Sequence, residues 1–336
     1  MAALAVVGLL GTLLACTSDG PRPGTDGDPT AAVQPATDLS GCPPVTDDDV
    51  VGRAPSYLGG AGLTPQPVSD AVCAAVWAPR LGGGFVPQGV AVRGRTAWLS
   101  GYDDGEPGAL WCRVRRVDLR TGALLADRGR VTGAVGAAPT TRCRHGGGLA
   151  LDDRGLWMTE SSRVWLLDPD SLATLRVWRL ADPVQGSFGV LDPRGRLGLG
   201  RHRPSRVHPG RAALDWFDTD AMLAPGVTDL RLEDAVGSRQ VPHHAQGAVW
   251  ARMAGRTGLW LALSHTRCGV LEGPGGVRRS FLPGAEGMAA GGDGLWVVSE
   301  SAARPYAEAG GRPVLPSLSL LDTGRLGRWP RPACEP

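Results

Sequence analysis

Polar side chains recur at two fixed places in this 336-residue chain. Gln88, Gln185, Gln246 and Glu286 each stand directly before a glycine that opens an apolar stretch, and Gly147 holds the same place once more. His145, His243 and His244 lie within three residues of these places. Tyr102, Asp103, Asp104, Glu160, Arg201, His202, His265, Glu300 and Arg304 follow the next apolar run in each case. Such residues offer distinct chemistries. Glu160, Glu286 and Glu300 supply the hard oxygen ligands that a divalent cation such as calcium prefers, so calcium is the cofactor this set would hold. Alternatively, two carboxylates at a suitable separation act as acid and base at a glycosidic bond. Histidines beside them serve as general bases near neutral pH. The remaining reading is a wet polar rim that carries no chemistry.

A repeat is what would bring residues so distant in sequence to one place. Gly148-Leu149-Ala150-Leu151-Asp152-Asp153-Arg154-Gly155-Leu156-Trp157-Met158 matches Gly287-Met288-Ala289-Ala290-Gly291-Gly292-Asp293-Gly294-Leu295-Trp296-Val297. Variants occupy residues 89–99, 186–199 (with Gly198 in the tryptophan position) and 247–261. A second element, an apolar pair followed by an acid and a turn, ends at Asp118, Asp168, Asp218, Glu272 and Asp322, at intervals of 50, 50, 54 and 50 residues. Each unit reads as short strands between Gly, Asp and Pro turns, with no long amphipathic helix. Four short strands in 40 to 50 residues is the arithmetic of a propeller blade.

The expected fold is therefore all-β, a β-propeller of five blades, or six if residues 42–84 form another. In the five-bladed version Val72-Cys73-Ala74-Ala75-Val76-Trp77 supplies the outer strand of the last blade, because the chain beyond Asp322 is too short and too rich in Pro and Arg. Joining the two chain ends in one sheet closes the ring. The starts of the innermost strands and the ends of the second strands then meet at the mouth of the central channel. The site candidates are Gln88, His145, Glu160, Gln185, His202, His244, Gln246, His265, Glu286 and Glu300.

Other recurrent residues read as structural. Trp98, Trp157, Trp260 and Trp296 share one phase of the repeat, which suits packing between blades. Asp118, Asp168, Asp218 and Asp322 precede turns and are expected to accept hydrogen bonds from turn amides. Residues 201–211 contain four Arg and two His; they read as a solvated loop, with anion binding as the alternative.

Composition removes whole classes of function. The chain has no Lys, Asn or Ile, and all its basic residues except His are Arg. Schiff-base lysine chemistry, a Ser-Lys dyad, a phosphate-binding GK[ST] loop and Asn-linked glycans are therefore excluded. Thirty-five basic residues against 33 acidic ones provide no drive toward nucleic acid. The sequence contains no GxSxG, HExxH or EF-hand loop. The absence of residues with AT-rich codons points to a GC-rich bacterial source.

Residues 2–15 are apolar or small throughout, the length of a signal-peptide core and short of a membrane span. Leu13-Leu14-Ala15-Cys16 resembles the lipobox of bacterial lipoproteins, in which cleavage leaves the cysteine first and its thiol carries a diacylglyceryl group. The likeness implies a signal peptide at 1–15, lipidation of Cys16 and a folded domain held outside the cell membrane. Residues 16–41 are rich in Thr, Asp, Gly and Pro and read as a tether. Residues 42–336 remain for the propeller. Six further cysteines in an exported chain argue for up to three disulfides, and no cysteine spacing matches a zinc site. Cys112 with Cys143 is the expected pair; Cys42, Cys73, Cys268 and Cys334 are left unassigned.

The two matched units resemble blades of the broad NHL, YVTN and SMP-30/gluconolactonase-like propellers. The whole chain is similar to secreted propeller lipoproteins of actinobacteria. The lactonase branch, by resemblance, implies a divalent metal at the channel mouth held partly by Asn. This chain has no Asn, so only the glutamate part of such a site carries over, to Glu160, Glu286 or Glu300. The functional expectation is a monomeric, membrane-anchored propeller that binds a small molecule or an envelope partner at its channel mouth. The alternative is a hydrolase of lactonase, glycosidase or phosphoesterase type, with a carboxylate-centred, calcium-dependent site on the same face.

Overall fold

A computed structural model describes residues 42–105, 110–203, 212–265, 267–291, 294–310 and 313–336. The signal peptide, Cys16, the tether and most of the Arg/His loop lie outside the described residues. The described chain forms five antiparallel blades around a channel, so the five-bladed reading holds.

From inner to outer strand, blade 1 comprises Phe85–Arg93, Thr96–Asp103, Trp111–Asp118 and Leu124–Gly129. Blade 2 comprises Gly148–Leu151, Leu156–Glu160, Arg163–Leu167 and Thr174–Leu180, extended by Asp229–Leu230 in parallel. Blade 3 comprises Phe188–Leu191, Arg196–Arg201, Ala213–Asp218 and Gly237–Gln240. Blade 4 comprises Ala245–Met253, Arg256–His265, Cys268–Gly273 and Val277–Ser280. Blade 5 comprises Ala285–Gly291, Gly294–Ser299 and Leu318–Leu321, and its outer strand is Val72–Val76.

That last pairing closes the ring as expected. Val76 faces Leu318 and Val72 faces Leu321 in antiparallel register. Residues 42–71 add no sixth blade. They form three short 3-10 turns, and Val45, Leu58 and Leu63 pack on the cluster between blades 5 and 1.

The recurrent glycines are explained by backbone approach at the axis. A Cβ on Gly89 would lie 2.7 Å from the Leu149 amide nitrogen of blade 2, and one on Gly247 would lie 2.7 Å from the Glu286 carbonyl of blade 5. Only glycine lets neighbouring inner strands come so close. The tryptophans of the repeat pack between blades. Trp98 sits among Leu149, Met158 and Trp165 of blade 2, and Trp157 among Leu197, Leu199 and Phe217 of blade 3. Trp260 meets Met288 and Val297 of blade 5, while Trp296 meets Val90 and Leu99 of blade 1. Blade 3 has Gly198 in this place, and the space is taken by Trp216, 2.9 Å from where a Gly198 Cβ would stand. Trp216 then meets Trp250 of blade 4 edge to face, at 6.3 Å between ring centres. The repeat aspartates cap turns: Asp118 accepts from the Arg120 and Thr121 amides, and Asp168 from those of Asp170 and Ser171.

Three disulfides are present: Cys42–Cys73, Cys112–Cys143 and Cys268–Cys334. The first ties the leading segment to the closing strand. The third ties the C-terminal tail to blade 4, where Glu335 also pairs with Arg278. The second bears on the site.

Candidate functional site

Three of the candidate residues are aimed at the mouth by the same local device. The pairing of inner and second strands shifts register between Pro87 and Gly89, between Ala245 and Gly247, and between Ala285 and Gly287. Gln88, Gln246 and Glu286 are thus the extra residues of three β-bulges, and a bulge re-aims its side chain out of the sheet. The glycine that follows each one is the axial glycine described above. One short motif therefore serves both ring packing and rim chemistry.

These side chains wall a cavity of about 600 Å³. It is lined by Gln88, His145, Glu160, His202, Gln246, Glu286 and Glu300 from the sequence-derived set, joined by Arg142, Arg144, Ser187 and Tyr306. Beneath it the channel is apolar, lined by the inner strands through residues such as Val90, Leu149, Val190, Val249 and Met288. A polar chamber over an apolar shaft confines a charged ligand to the mouth.

Both carboxylates of blade 5 are gripped from the blades beside it. The Gln88 side-chain amide donates to Glu300 Oε2 at 2.8 Å, and that of Gln246 donates to Glu286 Oε1 at 2.8 Å. Glu300 also bonds the Tyr306 hydroxyl. Tyr306 comes from the helix Arg304–Glu308, inserted after the second strand of blade 5, and its hydroxyl lies 3.3 Å from that of Tyr102. Burial raises both phenols, Tyr102 to about 12, so both remain protonated donors at neutral pH.

The opposite wall is basic. Cys112–Cys143 holds the segment before blade 2 against blade 1, and the Cys112 amide donates to the Cys143 carbonyl at 3.1 Å. This places Arg142, Arg144 and His145 at the cavity. The His145 ring stacks on Tyr102 with 4.9 Å between centres. Burial, reinforced by the Arg144 and His202 charges, pushes His145 down to about 4, so it is neutral at pH 7. Glu160 accepts from the Arg144 amide at 2.9 Å and pairs with Arg163 at 3.0 Å, which neutralises it.

Three expectations need correction. Gln185 does not line the cavity: Arg203 donates to its side chain at 3.0 Å. The reason is a local offset, because blade 3 opens with Phe188 where blade 2 has Gly148, so Ser187 takes the rim position. His244 and His265 also lie off the cavity, in a row with His202 whose successive ring centres are 6.3 and 5.6 Å apart. Burial and the neighbouring histidines lower His244. Finally, Glu160, Glu286 and Glu300 all line the cavity, but their carboxylate oxygens do not all lie within 4.8 Å of one another. Among the described residues, the one trio of ligand atoms within 4.8 Å of one another is Cys112, Cys143 and Glu160, and its two sulfurs are spent in the disulfide.

Sequence reasoning missed Arg142, Arg144, Ser187 and Tyr306. Arg142 and Arg144 flank Cys143, so the expected disulfide was a signal for them. Nothing in the repeat marks Tyr306, which lies in an insertion.

No family model and no curated protein matches the chain. Solved structures do. Regucalcin, a calcium-binding protein of Agrobacterium tumefaciens, matches with a TM-score of 0.41 and 13% identity over 71% of this chain and 90% of its own. A glucose dehydrogenase matches with 0.36 and 14%, over 72% and 82%. BamB of Moraxella catarrhalis matches with 0.30 and 15%, over 64% of this chain and 56% of its own. The chain spans only 24% of a europium-containing methanol dehydrogenase that it also matches. The five-bladed β-propeller fold rests on the strand pairing of this chain itself.

Proposed function

We propose that this protein is an exported propeller, anchored through a lipid on Cys16 at the outer face of the membrane, that binds a small ligand at its channel mouth without converting it. The observation that carries the binding reading is the polar chamber of about 600 Å³, within the size range of small-molecule sites. Its charges are segregated. Glu286 and Glu300 stand on blade 5, whereas Arg142 and Arg144 precede blade 2, which is not a neighbour of blade 5 in the ring. A ligand that bears an ammonium and an acid group, such as an amino acid, a betaine or an amino-sugar acid, matches that separation.

The test is calorimetric titration of the purified protein with glycine betaine, a panel of amino acids, glucosamine 6-phosphate, neutral sugars and lactones, with product formation followed in parallel. Binding of a zwitterion that is weakened at least tenfold in both Glu286→Gln and Arg144→Gln, with no product, supports the proposal. Turnover abolished by Glu286→Gln would put the hydrolase reading in its place. Failure of every compound to bind would leave the chamber a wet rim.

Calcium belongs to that second reading. Glu160 is committed to Arg163, so an ion at the mouth would rely on Glu286 and Glu300. A midpoint of thermal unfolding that rises by several degrees in millimolar calcium over chelator, and no longer does so in Glu286→Gln, would favour it.

A further inference from the structure

Residues 42–71 contribute no blade strand, yet they reach the rim of the mouth. Val51 forms a parallel bridge with Val76 of the closing strand, and its amide donates to the Ala75 carbonyl at 2.9 Å. Beyond it, the short turn Ser56–Leu58 meets the connection between the second and third strands of blade 5.

That connection is long. It runs over residues 300–317, whereas blade 2 joins the same two strands through residues 161–162 alone. Glu300 begins it and Tyr306 follows, and both line the mouth. Its helix, Arg304–Glu308, has five residues, too few to be stable by itself. The other described residues of the connection form no strand, so ordering them costs conformational entropy that a sheet does not offset.

Two residues of the leading segment hold its ends. The Tyr57 hydroxyl donates to the Ala302 carbonyl at 2.6 Å, and the Arg304 guanidinium lies 5.4 Å from the centre of the Tyr57 ring. Burial raises that phenol to about 12, so it stays a protonated donor. At the far end the Thr64 amide donates to the Val314 carbonyl at 3.0 Å, and the Val314 amide donates to Thr64 Oγ1 at 2.9 Å. Ala302 follows Glu300 by two residues, and the Tyr306 amide donates to the carbonyl of the next residue, Ala303, at 3.0 Å. The clamp therefore acts on the turn that carries both rim groups. Neither Tyr57 nor Thr64 lines the cavity itself.

We propose that the leading segment is a working part of the mouth, in which Tyr57 and Thr64 clamp the 300–317 connection and so position Glu300 and Tyr306 for the ligand. Tyr57 is thus a positioning residue. The effect on a ligand rests on the zwitterion reading above, whereas the clamp itself does not.

The chain has three tyrosines, Tyr57, Tyr102 and Tyr306. Labelling the full chain in detergent with 3-fluorotyrosine therefore gives one fluorine NMR signal for each, assigned through Tyr102→Phe and Tyr306→Phe. Tyr57→Phe keeps the ring beside Arg304 and removes only the bond to Ala302. It is expected to shift or broaden the Tyr306 signal, and Thr64→Val is expected to do the same from the other end. Thr46→Ala removes a hydroxyl bond to Asp49 elsewhere in the segment and is expected to leave the Tyr306 signal unchanged. In calorimetric titration, the tightest binder among glycine betaine and the amino acids should bind Tyr57→Phe about two- to tenfold more weakly than the parent chain, the worth of one net hydrogen bond. Failure of all these compounds to bind the parent chain would sink the mouth reading and leave the fluorine signals to judge the clamp. A Tyr306 signal unmoved in both Tyr57→Phe and Thr64→Val overturns the proposal. So does one that moves equally in Thr46→Ala, which would mark general loosening of the segment. Undiminished binding by Tyr57→Phe of a compound that the parent chain binds also overturns it.

Discussion

Gln88 and Glu300, 212 residues apart, are joined side chain to side chain at 2.8 Å across the seam between the first and last blades. Gln246 and Glu286 repeat the contact across the seam between blades 4 and 5. The residues that face the chamber at the channel mouth are thus the same residues that knit the blade formed by both chain ends to its neighbours. Ring closure and rim chemistry are coupled.

Removal of one partner should expose that coupling. Gln88→Ala leaves the buried Glu300 carboxylate with one donor fewer and is expected to cost about 1 to 3 kcal/mol. Urea unfolding of Gln88→Ala, Glu300→Gln and the double variant measures it. If the two single effects simply add, the contact carries no coupling energy.

His145 makes the fold sensitive to acid. Its ordinary value is near 6.5 and burial holds it near 4 in the folded state, so between these values the unfolded chain binds the extra proton. Stability is fully present above about pH 6.5 and falls as pH drops toward 4, by about 2 to 3 kcal/mol from this group. His145→Phe keeps a ring against Tyr102 and should flatten that part of the profile. An unchanged slope between pH 6.5 and 4 would assign the acid sensitivity to other groups.

The Cys112–Cys143 bridge closes a loop with a sequence separation of 31. Replacing both cysteines by Ala is expected to cost about 3 to 4 kcal/mol from chain entropy. It should also loosen the segment that carries Arg144 and His145. Zwitterion affinity in the double variant, measured well below its unfolding midpoint, is expected to fall several-fold, whereas opening Cys268–Cys334 should lower stability and leave affinity intact.

Gly198 is the one place in the repeat where Trp gives way to Gly, and Trp216 occupies the vacated space. Gly198→Ala forces a methyl against that indole and is expected to destabilise by about 1 to 3 kcal/mol. Gly198→Ala combined with Trp216→Leu should recover part of the loss. Unfolding of the two variants side by side checks this, and no recovery would mean that another neighbour sets the limit.

The anchor can be tested apart from the propeller. Cys16→Ser should abolish incorporation of labelled palmitate in a bacterial host and move the protein from the membrane fraction to the soluble one. Equal membrane association of the two forms would remove the lipid from the proposal.

Read alone, the sequence determined the propeller fold and narrowed the blades to five or six, and it located the strand that closes a five-bladed ring, the Cys112–Cys143 pair, the interblade tryptophans and the turn-capping aspartates. Each of these depends on a period or on a pattern local to a few residues, and such patterns survive without coordinates. It also located most of the rim, because a propeller brings equivalent places in each repeat to one mouth. Tertiary structure decided what those places do. A two-residue offset at Phe188 put Ser187 at the rim and turned Gln185 to Arg203. An insertion delivered Tyr306, and the closed ring brought Glu160, Glu286 and Glu300 to one cavity without bringing all their oxygens within 4.8 Å of one another. Sequence carries no measure of the distance across an axis. Whether carboxylates share an ion or face opposite charges is a matter of that distance, and only the closed ring sets it.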